Sequence, residues 1–318
     1  MDNAPLTESS LEAVEAVMRD ELAQGDSVLS NAAPIMRHLL ANEDQALFSD
    51  EIVARVRGML TDVARQMLYA QAEAAMAADR AEFAESRSEP LVAALAGDAG
   101  FLGHLHTLTM EGQLARKLQD RTGLDPVLSP LLQELVAAKD DAMAAAAMSA
   151  IAAQARFMQQ LQRMAMPLGE LPGDLLHSAL VAFRETSGGD ESAAAAERKL
   201  RDEFDEGLGR IGLLTRLVMR LGKGASRALD IDTAGLALFA TGLAMAIGQD
   251  RDVTVLAFSD RQFARLALGL RAAGLKTRAL EEQFLYLHPD VSLPENFDHL
   301  TPQRAAALLA ASDLRAES

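Results

Sequence analysis

Apolar side chains recur at spacings of three and four along almost the whole chain, a period that fits α-helices rather than strands. The longest run starts at Ser49, after which Ile52, Val56, Met59, Leu60, Val63, Met67 and Leu68 share one helical face. Only VTVLAF, residues 253–258, has a strand-like composition, and one short strand cannot make a sheet, so it reads as a loop or as part of a helix. Apolar residues make up 49% of the chain but aromatics only 4%, and Trp is absent, so the core must be built from Ala, Leu, Val and Met, among them the better helix formers. The expected architecture is all-α: a multi-helix bundle of two packed helical domains with no significant β-sheet.

A length of 318 residues suits one large domain or two of about half that size. The most linker-like stretch is TSGGDES, which places a boundary at 186–192. The expected organisation is an acidic, partly disordered segment over 1–26, a helical domain over 27–185, the linker, and a second helical domain over 193–318. The pattern predicts a first helix that stops at Gly25, a long helix from Ser49 to about Glu85, and a glycine-rich turn over 95–105. FSDEIVARVRGML from Phe48 and FSDRQFARLALGL from Phe258 echo each other, either as convergent helix starts capped by Ser49 and Ser259 or as an old duplication.

The net charge of −16 argues against a nucleic-acid binder and for solubility, and half of it lies in residues 1–50, which hold ten acidic and two basic side chains. Without cysteine there is no disulfide, thiolate nucleophile or Cys-ligated metal. The first residues lack the basic and apolar regions of a targeting peptide, and the expected location is cytoplasmic. Thr233–Gln249 carries no charge, but it is short, rich in Ala and Gly, and bracketed by Asp230, Asp232, Asp250 and Asp252. Its large residues Leu236, Phe239, Leu243 and Ile247 share one face beside a stripe of Gly235, Gly242 and Ala246, which predicts the central helix of a bundle and no transmembrane span.

GLGRIG, residues 207–212, fits the G-x-G-x-x-G of dinucleotide loops, but a charged helical segment stands where that loop needs a buried strand. No cofactor is expected. No metal is expected either: His104 and His106, with Glu111 as third ligand, would be the candidate set, but they converge only if the segment is extended, and two loop or helix-end histidines are the preferred reading. Asp174 and His177 form half of a carboxylate–histidine pair without a second half, and His38 lies beside an apolar face. The helix after GLGRIG is more informative. Arg216, Arg220, Lys223 and Arg227 fall within about 60° on a helical wheel, opposite Leu214, Leu217, Val218, Leu221 and Ala225, with Arg210 at the helix start. Gly222 and Gly224 threaten to end that helix early.

Two functions remain open. The leading one is a non-catalytic interaction or regulatory protein that docks an anionic partner, a protein with an acidic surface, on Arg210, Arg216, Arg220, Lys223 and Arg227. The alternative is a helical enzyme acting on an anionic small molecule, with Arg216 and Arg220 as clamps and one of His38, His104, His106 and His177 as acid or base. The oligomeric state stays open.

Overall fold

The computed structural model describes residues 8–41 and 50–312, and all regular structure among them is helical, with no strand. The helices are α1 (Glu8–Ser30), α2 (Ala32–Ala41), α3 (Asp50–Ala74), α4 (Arg80–Gly97), α5 (Ala99–Thr122), α6 (Pro130–Val136), α7 (Asp141–Arg163), α8 (Gly173–Thr186), α9 (Glu191–Glu203), α10 (Arg210–Leu221), α11 (Ile231–Ile247), α12 (Arg251–Leu256), α13 (Phe263–Ala272), α14 (Thr277–Leu287) and α15 (Pro302–Ala310). Short 3-10 segments interrupt them at Leu168–Glu170, Glu206–Leu208, Gly222–Leu229 and Phe297–His299. VTVLAF lies mostly in α12. No helix among the described residues is long and apolar enough to cross a membrane.

The chain folds into two compact units, each assembled from separate stretches of sequence: unit 1 is Met1–Asn31, Gln113–Met148 and Leu214–Ser318, and unit 2 is Ala32–Gly112 and Ser149–Leu213. Residues 186–192 do not separate them. They join α8 to α9 inside unit 2, where Asp190 caps α9 by accepting from the Ser192 amide. The expected disorder over 1–26 gives way to α1 from Glu8 onward, and residues 1–7 lie outside the described residues.

In unit 2, α3 is the spine. It packs against α4 and α9, and α8 closes the group by packing on both of those. Val56, Met59, Leu60, Val63, Met67 and Leu68 are all buried, as their spacing requires, and they meet Leu91, Leu95, Leu180 and Phe183. The expected single helix to Glu85 is instead a hairpin of α3 and α4, because Met76 takes a left-handed conformation (φ 50°) and the Asp79 carboxylate caps α4 by accepting from the Ala81 and Glu82 amides. The glycine-rich stretch after it is helical on either side of Asp98 rather than an open turn.

In unit 1, α11 is the central element and is covered by α6, the 222–229 turn, α12, α13 and α14, while α13 also receives α15 and α1. A helix apolar all round must be buried, and Leu236, Phe239 and Leu243 are. Two of the three small residues mark close approaches: a Cβ on Gly242 would sit 2.7 Å from the Ala228 Cβ, and one on Gly235 (φ 72°) 2.9 Å from the Ser129 Cβ. Ala246 is exposed. The predicted Ser259 cap is absent: α13 starts at Phe263, and the Ser259 hydroxyl donates back to the Leu256 carbonyl. Ser49 lies outside the described residues.

Candidate functional site

GLGRIG sits in unit 2 as a backbone crossing. Gly207 belongs to the 3-10 turn after α9, and Arg210 opens α10. A Cβ on Gly209 would lie 3.0 Å from the Gly169 carbonyl oxygen, and one on Gly212 would lie 2.7 Å from the Glu206 carbonyl oxygen and 2.9 Å from Gly207 Cα. The glycines therefore let the chain pass over itself, not over a pyrophosphate. A helix N-terminus favours an anion, and here the chain supplies one: the Arg210 amide donates to Glu170 Oε2 at 2.7 Å.

Arg210 does not belong to an exposed docking face. Its side chain is 2% exposed and donates through both terminal nitrogens to Glu111, at 2.7 and 2.8 Å, and to Gln154 at 3.1 Å, with the guanidinium 3.6 Å over the Phe157 ring. Beside it, Met59, His104, Leu108, Phe157, Glu170 and Arg210 line a cavity of about 20 Å³, room for one water and far too small for a nucleotide.

The same ion pair removes the candidate metal set. Glu111 spends both oxygens on Arg210, and His104 and His106, two apart on the helical α5, point to different sides. Burial lowers the pKa of His106. No group of three or more His, Asp or Glu placed to hold a metal occurs among the described residues. His38 is exposed in the last turn of α2, and His177 is exposed on α8 with Nδ1 3.4 Å from an Arg201 nitrogen. These four histidines belong to unit 2, whereas Arg216 and Arg220 belong to unit 1.

The cationic face is built at the C-terminal end of α10. Leu214, Leu217 and Val218 are buried, which turns Arg216, Met219 and Arg220 outward. At Gly222 (φ 51°) the α-helix gives way to a 3-10 turn, so Lys223 and Arg227 do not continue the wheel. Lys223 is exposed. Arg227 is engaged: it forks onto Glu134 at 2.8 and 2.5 Å, and that bond holds the Glu134 carboxyl below its ordinary pKa and raises that of Arg227. The four-residue stripe thus contracts to Arg216 and Arg220 on α10, with Met219 at 66% exposure on the same helix and Lys223 exposed in the turn that follows.

Two groups in unit 1 escaped the sequence reading because nothing local marks them. His288, which ends α14, is buried, and its pKa is lowered by desolvation, with Lys117 and Arg121 reinforcing the shift and Asp260 opposing it. Arg265, in the first turn of α13, is buried against Asp26 and Ser312 from opposite ends of the chain. Compared with protein-family models, with curated proteins and with solved structures, the chain matches none.

Proposed function

We propose that the chain is a cytoplasmic, non-catalytic helical interaction module that docks an acidic surface of a partner protein on Arg216, Arg220 and Lys223. The observation that carries this reading is Met219, a large apolar side chain 66% exposed between exposed cations on a chain whose net charge is −16. Apolar anchors ringed by charge are how many interfaces combine affinity with choice of partner. Arg220 and Lys223 have no side-chain partner among the described residues, so their charge is available at the surface.

Quantitative capture from native lysate tests the proposal, with wild type compared against the Arg216→Glu/Arg220→Glu variant. The expected result is a small set of acidic proteins retained by wild type, lost by the variant, and released as salt rises from about 0.05 M to about 0.3 M, where the screening length falls below 10 Å. Identical capture by both proteins, capture of nucleic acid instead, or loss of cellular function on one His→Gln change with the fold intact would overturn it.

A further inference from the structure

α1 is held in unit 1 by a seat that it fills incompletely. It packs on α13 with Val14, Met18 and Leu22 buried, four residues apart, and Arg304 at the start of α15 donates to Glu15 at 2.7 Å. One turn beyond Leu22, Asp26 is buried as well and accepts from Arg265 Nη2 and, at 2.7 Å, from the Ser312 hydroxyl. The same Nη2 also donates to the Ser312 oxygen at 2.7 Å. All the bonds of the Arg265 guanidinium therefore leave from one nitrogen. Nε and Nη1 are buried with no partner among the described residues, and the side chain is only 1% exposed.

Gln262, three residues earlier at the N-cap of α13, repeats the pattern. Its Nε2 donates to the Gly25 carbonyl at 2.7 Å, while its Oε1 is buried without a partner among the described residues. Gly25 is needed there, because a Cβ would lie 2.8 Å from that oxygen. α1 runs through Gly25 to Ser30 instead of stopping there. Three polar atoms thus stand enclosed and unbonded beneath the end of α1, each having given up its hydration without a replacement. A guanidinium is a planar fork that suits both oxygens of one carboxylate. The short Asp26 side chain reaches one arm of it.

We infer that the α13 surface beneath α1 is a docking groove for a helical segment of a partner protein. The partner carries apolar residues at i, i+4 and i+8, an acidic residue at i+1 facing Arg304, and a glutamate at i+12 that takes both arms of Arg265. α1 is the resident, poorly fitted occupant, with Val14, Glu15, Met18, Leu22 and Asp26 at those positions. Recognition is of the helix-in-groove kind, in which spaced anchors set register and one buried charge pair sets identity. The partner's apparent affinity is reduced by the fraction of chains in which α1 is seated. This inference is independent of the α10 face.

The probe is a labelled peptide with the sequence of residues 8–30 carrying Asp26→Glu, and the protein is the full chain. Binding is read by fluorescence anisotropy to wild type and to a Met18→Ala/Leu22→Ala chain whose α1 is loosened, with hydrogen exchange of residues 8–30 reporting the loosening. The glutamate peptide is expected to bind the loosened chain at least about tenfold tighter than wild type, and at least about tenfold tighter than a peptide with Gln at position 26. Arg265→Met in the loosened chain is expected to abolish that preference, and the Glu/Gln peptide pair tests the same contact without altering the protein. The inference falls if a chain whose α1 exchanges freely does not bind the peptide, or if glutamate and glutamine peptides bind equally. It also falls if light scattering shows that α1 is traded with a second copy. Loss of binding in the Arg216→Glu/Arg220→Glu chain would place the peptide on α10 and overturn it too, while leaving the α10 proposal standing.

Discussion

Arg210 and Arg216 lie on one helix, yet Arg210 is buried with three hydrogen bonds and a ring contact around its guanidinium, and Arg216 is exposed. Their charges were plain in the sequence, but their environments were not, because Glu111, Gln154 and Phe157 reach Arg210 from α5 and α7. Removing one side of a buried ion pair strands the other charge, so Arg210→Met and Glu111→Leu are each expected to destabilise the protein by about 3–5 kcal/mol. Replacing both together should recover most of that loss, since neither desolvated charge then remains. Urea unfolding of the four proteins measures the coupling, and additive losses would refute it.

At the scale of elements, periodicity predicted the helices but not where one becomes two. No glycine or proline lies between Ala74 and Arg80, so the α3–α4 turn carries no ordinary breaker, whereas Pro90 and Gly97, Gly100 and Gly103 look like breakers and sit in or at the ends of helices. The turn is made by hydrogen bonds. The Met76 amide donates to the Glu73 carbonyl at 3.1 Å and the Ala77 amide to the Ala72 carbonyl at 2.9 Å, a left-handed helix ending that favours glycine. Met76 occupies it with its side chain 90% exposed, so no packing offsets the backbone cost. Met76→Gly is expected to stabilise the chain by about 1 kcal/mol, read as a shift in the urea midpoint. A loss of stability would mean that this side chain makes contacts its exposure denies.

For the whole molecule, chain order and spatial order part company. Unit 1 needs residues up to Asn31, the 113–148 stretch and everything after Leu214, so a cut at 186–192 divides both units. The Asp26–Arg265 and Glu134–Arg227 pairs, and the packing of α6 on α11, all cross that point of the sequence. Fragments 1–185 and 193–318 are each expected to lack cooperative thermal unfolding when made alone, and a sharp independent transition in either would show that the contacts crossing the cut are dispensable. The sequence by itself determined the helical class, the apolar α3 face, the central buried α11 and the outward turn of Arg216 and Arg220, because each follows from periodicity within a single helix. The tertiary structure alone decided that GLGRIG is a backbone crossing, that Arg210 and Arg227 are engaged by Glu111 and Glu134, that the metal set is not assembled, and that Arg265 lies under α1. Apart from the short-range contact of Gly212 with Glu206 and Gly207, those facts rest on residues tens to hundreds of positions apart, and local pattern fixes which face a side chain occupies but not which distant residue is brought to meet it.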